Sequence, residues 1–435
     1  MGTEDRVLLR SPENRAYPPD QKEIQALQGQ VVVNGTAVSP SPVAKLLGVS
    51  FDQEMRWKEH VQQVIKHATK VTVALGGLRH LRPEQMRQLY QSCVTPVVDY
   101  ASTVWHDPLR DKFHLRHLNT VERTSLLRIL SAFRTVATTT LEAEAHILST
   151  HLRLRHRAQR TIANLHTLPR EHPIWDTLSR AQRRRNNIGQ TIDPRPLPPW
   201  RLDPFVEIEV GSDRETAIEQ AMAIRSISDI IVYSDASGCD GQLGAAVVAF
   251  NDNMDIVDCQ QIQVGPMDSW SVHVAELVGI FHAFGTVFKL AHQIVRPQGR
   301  QVTATILCDS RLALQAIKSV RNRSGQRIAH TIHQAASEAQ TSYIALRLQW
   351  VPGHCDNPGN DAADRMAKHA ASPGKSHSFC PLLTREKAFI HGKIAARWEQ
   401  EWRTPSKGGH LWEIDDTLSA THTRSRYQTS SLSSI

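Results

Sequence analysis

The nine residues IIVYSDASG, 230–238, run apolar and aromatic side chains straight into a carboxylate, Asp235. A short apolar run bounded by serine and glycine has the signature of a buried strand. A carboxylate at the end of such a strand gives up hydration, which costs free energy unless a partner or ligand replaces the water. The neighbouring segments must therefore bring that partner to one end of a sheet.

Those segments alternate between strand and helix. GQLGAAVVAF (241–250) follows at hairpin spacing, and IVDCQQIQV (256–264) supplies a third strand. Within SWSVHVAELVGIFHAF (269–284), Val272, Ala275, Val278 or Gly279, Ala283 and Phe284 mark a buried helix face, which Glu276 borders. VTATILCDS (302–310) is another apolar strand, ending on Asp309. LRLQWVPGHCDNPG (346–359) reads as a strand and loop, and NDAADRMAKHAA (360–371) as a helix start carrying Asp364. Two acids thus stand where strands stop, and two lie on helices able to pack beside them. Sites in open α/β sheets gather at strand ends. Four carboxylates sharing one pocket repel one another and resist ionisation. Hard divalent cations such as Mg²⁺ remove that cost, because they prefer carboxylate oxygen. Two such ions about 3.5–4 Å apart can activate water and stabilise the leaving oxygen of a phosphodiester. Each acid taken alone also reads as a turn, cap or solvated residue; the ordered set carries the signal.

YSDASG, VAELVGI, LCDSRLALQAI and WVPGHCDNPGNDAADRMAKHA resemble the four motif regions of type 1 ribonuclease H. The resemblance implies an α/β fold, with a five-stranded mixed sheet flanked by helices. It also implies dependence on Mg²⁺, with Mn²⁺ as an alternative, and endonucleolytic two-metal-ion cleavage of the RNA strand of RNA–DNA hybrids. Products would carry 5′-phosphate and 3′-hydroxyl ends. Carried across by motif, Asp235, Glu276, Asp309 and Asp364 are the metal-binding catalytic acids. His354 is the mobile histidine that assists proton transfer and product departure. Asp361 stands where the family usually has Glu, and reads equally as a helix N-terminal acid favoured by the dipole. Asp240 and Asp356 read as solvated loop acids. Two rival readings are a catalytically inert nucleic-acid-binding remnant and a DNA-cutting integrase or transposase nuclease of related fold. The GHCDNPGNDAAD segment argues against the second.

The chain before this segment is expected to be mostly helical. Trp57, Val61, Val64, Ile65, Ala68, Val71 and Leu75 repeat at three and four, as do Met86, Leu89, Tyr90, Cys93, Val94 and Val97 after Pro83. A third stripe runs from Leu115 to Leu130. GQVVVNGTAV (29–38) suggests a hairpin turning at Asn34-Gly35, and VAKLLGVSFD (43–52) a further strand. KLLGVSFDQEMRWKEHVQQVIKHATKVTVALGGLRHL and QMRQLYQSCVTPVVDYASTVWH are similar to the region after the palm in reverse transcriptases of non-LTR retrotransposons, its thumb and connection. An aromatic-x-Asp-Asp polymerase motif is missing, and Asp415-Asp416 lies elsewhere. The resulting division is a β remnant at 1–50, a thumb- and connection-like helical region at 51–185, a proline-rich linker at 186–224, the nuclease-like domain at 225–372, and a helical then disordered tail at 373–435.

The formal charge is +8 and the pI near 9.3, which suits a polyanion partner. Residues 151–185 hold nine arginines against Glu171 and Asp176. They read either as a solvated face with a basic linker or as contacts to nucleic-acid phosphates. No continuous apolar run of ~18 residues is present, so no membrane partner is expected. No secretory signal is visible at the start, and six scattered cysteines form no C-x-x-C pair. An intracellular setting is expected, with nucleus and cytoplasm not distinguished.

Overall fold

A computed structural model of the 435-residue chain describes residues 31–33, 36–38, 41–78, 80–107, 111–177, 190–193, 203–211, 213–251, 253–294, 300–321, 324–353, 357–370 and 375–404. Two units are distinguished: Met1–Ile162 together with Ile390–Ile435, and Ala163–Phe389.

In the first unit, β1 (Val31–Val33) pairs antiparallel with β2 (Thr36–Val38), Val33 opposite Thr36. The expected turn residues, Asn34 and Gly35, lie outside the described residues. VAKLLGVSFD is a hairpin rather than one strand: β3 (Val43–Leu46) pairs antiparallel with β4 (Val49–Asp52). The two residues between them, Leu47 (φ 47°) and Gly48 (φ 83°), are both left-handed, which is the backbone of a two-residue turn that matches strand twist. Helices at Lys58–Leu75, Pro83–Leu89 and Lys112–Ile129 form where the apolar stripes predict them. Pro83 sits in the first turn of its helix, where its missing N–H is harmless. Val61, Ala68, Val94, Trp105, Leu118, Leu126 and Leu141 fill the core of this unit.

The helix Thr150–Leu165 corrects one expectation. Arg153 is among the nine arginines that the sequence offers to phosphate, yet it is not open to one. Its Nε lies 3.0 Å from Asp99 Oδ1 and its Nη1 3.3 Å from Glu122 Oε1. Both carboxylates are buried, and buried charge must be paired. Arg155, Arg157, Arg160 and Arg170 are exposed; Arg180, Arg183, Arg184 and Arg185 lie outside the described residues.

In the second unit, seven strands form one sheet: β5 (Glu207–Glu209), β6 (Ile230–Cys239), β7 (Gln242–Phe250), β8 (Ile256–Pro266), β9 (Val302–Cys308), β10 (Ile344–Trp350) and β11 (Lys375–Ser376). Their order is β11-β8-β7-β6-β9-β10-β5. The five expected strands are the centre, and β5 and β11 extend its edges. β6, β7 and β8 are antiparallel neighbours, whereas β6, β9, β10 and β5 run parallel. The β6–β7 turn is Asp240 (φ 49°) and Gly241 (φ 75°), again left-handed at both positions. β5 and the helix Arg214–Ala223 lie within the stretch assigned to a linker. Its last proline is Pro204, so beyond that point nothing denies the backbone its donors. The unit also runs past residue 372: His377 Nε2 is 2.9 Å from the Val264 carbonyl, and Arg385 donates to the Met267 carbonyl at 2.7 Å. The final described helix, Leu383–Arg403, matches expectation; the tail from 405, expected to be disordered, lies outside the described residues.

Pleating sends alternate residues to opposite faces. Val232, Val247 and Ile306 share a core with the helix Val272–Gln293. Tyr233, Val248 and Leu307 share another with Ala363 of the helix Pro358–His369. Among the described residues, Val272–Gln293 is the one helix long and apolar enough to cross a membrane by length and composition. Ala275, Val278, Ile280 and Ala283 of that helix are fully buried against the sheet, as a core helix requires.

Candidate active site

Asp235 does not end its strand. β6 continues to Cys239, and Asp235 pairs with Ala246 across the antiparallel ladder. The end that matters belongs to the neighbour: β9 stops at Cys308, opposite Ser234. Beyond that register the parallel ladder is missing, so Asp235 borders a gap inside the fold. Its carboxylate is 4% exposed, and Oδ1 accepts from the Ala236 amide at 2.8 Å. Burial, then the charge of Asp309, pushes its pKa up to about 7.

Glu276 enters that gap from one face. Its helix starts at Ser271, whose side chain accepts from the Val274 amide. One turn beyond Glu276, a Cβ built on Gly279 would stand 2.5 Å from Ser234 Oγ. Glycine therefore lets the helix lie close enough to β6 for Glu276 to reach the strand ends. Glu276 is itself 4% exposed, more deeply buried than a residue bordering a helix face. Its Oε2 lies 3.6 Å from Cys308 Sγ, which donates weakly. Burial, then Asp235 and Asp309, raises the Glu276 carboxyl well above its usual range. Burial and Glu276 raise the Cys308 thiol likewise.

Asp309 follows directly on β9. Its carbonyl accepts from Trp350 Nε1 at 2.9 Å, and the Arg311 guanidinium lies 3.7 Å from the centre of that indole. The next residue, Ser310, caps the helix Arg311–Lys318 by accepting from the Ala313 amide. A Cβ on Gly353 would lie 2.7 Å from Asp309 Oδ2, so the chain leaving β10 passes against this carboxylate. His354, the next residue, and Asp356 lie outside the described residues.

Asp364 arrives from the opposite face. Asn357 caps its helix by accepting from the Gly359 and Asn360 amides, with Pro358 in the first turn. A Cβ on Gly359 would collide with the Tyr233 ring, so this glycine, too, permits close packing on β6. Asp364 is half-buried and pairs with Lys368 Nζ at 2.7 Å, one helical turn away. Asp361 lies in the first turn, as its helix-acid reading requires.

Glu276, Cys308 and Asp309 offer ligand atoms all within 4.8 Å of one another. Asp235 lies one residue past the last β6–β9 pair, Ser234 opposite Cys308, and the charges of Asp309 and Asp364 both raise its pKa. Sequence reasoning missed Cys308 and Lys368. In the sequence Cys308 is one scattered cysteine among six, whereas Lys368 is four residues after Asp364 on one helix, a spacing that predicts the pair. The donor set is mostly hard oxygen, and the mutual repulsion of its carboxyls is a cost that a divalent cation removes. The residues fit such an ion.

The family model for RNase H matches residues 228–372. That segment is an RNase H domain. A 115 kDa protein in the type-1 retrotransposable element R1DM of Drosophila melanogaster is 30% identical over 102 residues, 22% of this chain and 10% of that protein. A ribonuclease H of Anaeromyxobacter sp. (strain K) is 30% identical over 113 residues, 23% of this chain and 60% of that protein. The chain thus spans a tenth to three-fifths of these relatives' lengths. Among solved structures, RNase H1 from Halobacterium salinarum NRC-1 is 16% identical with a TM-score of 0.25, covering 32% of this chain and 96% of that one. LC11-RNase H1 in complex with an RNA/DNA hybrid is 16% identical with a TM-score of 0.26, covering 33% and 100%. In the RNase H domain, Asp235 and Glu276 are the buried acids, and Asp309 and Asp364 are half-buried.

Proposed function

We propose that the RNase H domain hydrolyses the RNA strand of RNA–DNA hybrids endonucleolytically, and that the chain derives from a retrotransposon polyprotein. The observation that carries the reading is the meeting of Asp235, Glu276 and Asp309 at the end of β9, with Asp364 brought alongside from the other face. Asp235, Glu276, Asp309 and Asp364 would hold Mg²⁺, or Mn²⁺ in its place. A bound pair of such ions supplies an activated water and charge stabilisation for the leaving oxygen. Asp235 and Glu276, whose pKa values are raised in the ion-free site, would hold the ion as carboxylates. Gly353 passes close to Asp309, and His354, the next residue in the chain, would move a proton as product departs. The hybrid is recognised by its shape and 2′-hydroxyls, with exposed Arg155 and Arg160 on phosphates.

The inert-remnant reading has one observation in its favour: the Lys368 ammonium sits on Asp364 at 2.7 Å. The two readings part on one experiment. Purified full-length chain is incubated with end-labelled RNA–DNA hybrid, duplex DNA and duplex RNA, each with Mg²⁺ or with EDTA. Cleavage confined to the hybrid's RNA strand, leaving 5′-phosphate ends and stopped by EDTA, is expected. Intact hybrid at every Mg²⁺ and Mn²⁺ concentration would establish the remnant.

A further inference from the structure

The first unit contains a cavity of about 260 Å³ unrelated to the nuclease residues. Bulk water takes about 30 Å³ per molecule, so the space admits a group of several heavy atoms. Glu142, Glu401, His151, Trp398 and Trp402 are among its walls.

The two carboxylates differ. Glu401 is engaged, with Oε2 3.1 Å from His151 Nε2 and Oε1 2.9 Å from Arg397 Nε. His151 Nδ1 is in turn 3.1 Å from Ser149 Oγ. Glu142 is 8% exposed, and among the described residues its carboxyl has neither hydrogen bond nor ion pair. Arg153, whose charge it feels, is spent on Asp99 and Glu122. Burial, then the charges of Glu122 and Glu401, pushes Glu142 up to about 9. A second buried polar group on the wall, Trp402 Nε1, also has no hydrogen-bond partner among the described residues. Trp398 is held by the His146 ring, with centroids 5.3 Å apart.

An unpaired buried carboxyl beside a second one, with indole faces nearby, recognises a cation. Two carboxyl groups on the wall, Glu142 and Glu401, disfavour phosphate. A metal ion is disfavoured because the carboxylate and imidazole donors do not converge: among the described residues such a cluster forms only at Glu276, Cys308 and Asp309. A planar guanidinium satisfies both requirements, since its fork pairs with carboxylates and its face stacks on indole. The geometry points to a binding site for a guanidinium group, received by Glu142 and covered by Trp398.

The test titrates full-length protein with methylguanidinium chloride against sodium chloride at equal ionic strength. Binding is read by calorimetry and by thermal shift. Saturable heat and a rise in Tm are expected for the wild type. Glu142→Gln keeps the side chain's volume and removes the carboxyl that a bound cation would ionise, and should weaken binding by about tenfold or more, as loss of a charged hydrogen bond does. Trp398→Leu should weaken it to a smaller degree. A response in the wild type no different from sodium chloride overturns the proposal, as does Glu142→Gln binding as tightly as wild type. Should Glu142→Gln fail to fold, unchanged affinity in Trp398→Leu overturns it and weakened affinity supports it.

Discussion

Replacing Gly279 by alanine tests how the Glu276 helix is positioned. The added Cβ would stand 2.5 Å from Ser234 Oγ, whereas ordinary contact begins at 3.4 Å. Relief therefore needs a shift approaching 1 Å between helix and strand. Ser234 is fully buried, so it has little room to yield, and its Oγ has no hydrogen-bond partner among the described residues. The next atom in line, Ala245 Cβ at 3.5 Å, is already at ordinary distance, so the clash rests on a single oxygen. Overpacking costs ~1–3 kcal/mol, and Gly→Ala inside a helix returns ~1 kcal/mol. Gly279→Ala should thus be destabilised by only ~0–2 kcal/mol. Its activity should fall much further, by roughly 10²-fold, because a displacement of about 1 Å at reacting groups costs that much. Ser234→Ala removes the offending oxygen, so the Ser234→Ala/Gly279→Ala double variant should recover near-wild-type cleavage. It should also exceed wild-type stability, having kept the helix gain and lost an unpaired buried hydroxyl. Urea unfolding and hybrid cleavage at saturating Mg²⁺ measure both quantities as a double-mutant cycle. Wild-type cleavage by Gly279→Ala alone, or no rescue in the double variant, would refute the reasoning.

Lys368→Met frees Asp364 from its ion pair, and should lower the Mg²⁺ concentration for half-maximal cleavage by about twofold, the scale of an i,i+4 pair. Arg153→Met leaves buried Glu122 without its cation and Asp99 with only Arg157, 3.6 Å away, and should cost ~3–5 kcal/mol in urea unfolding. Converting Arg155 and Arg160 to Gln should leave stability unchanged, yet reduce the slope of log affinity for hybrid against log salt by roughly 0.9 for each phosphate no longer neutralised. Glu142 is raised from 4.5 to about 9 on folding, so between those values the folded state holds a proton that the unfolded state has lost. Stability should therefore decline as pH rises from about 5 towards 9, by at most ~1.4 kcal/mol per pH unit for one proton. Glu142→Gln should flatten that decline, measured as Tm against pH.

Much of the RNase H domain was legible because each acid came with an element whose pattern could be read. The alternating apolar segments gave the five central strands, and the capping residues Ser271 and Asn357 begin the two helices expected to carry Glu276 and Asp364. Asp235 was misplaced by pattern alone. A serine- and glycine-rich stretch looks like a strand end, but here β6 continues through it as half of a hairpin. What creates the gap is the stop of β9 opposite Ser234, and a parallel register between segments seventy residues apart leaves no local mark. Gly48 was a turn signal hidden in an apolar run, so the pattern showed one strand where two exist. Charge counting also failed at Arg153, because Asp99 and Glu122, which absorb it, are distant in sequence and meet it only through the fold. For the same reason Cys308 gains significance only where the Glu276 helix lies against it.

The most direct test of the central claim is paired measurement of metal binding and cleavage in Asp309→Asn. The substitution removes one ligand charge and almost no volume, so folding should persist. Calorimetric titration with Mn²⁺ should show binding in the wild type and a loss of at least about tenfold in the variant, with hybrid cleavage abolished in Mg²⁺ and Mn²⁺ alike. Wild-type Mn²⁺ affinity and wild-type cleavage by Asp309→Asn would contradict the account.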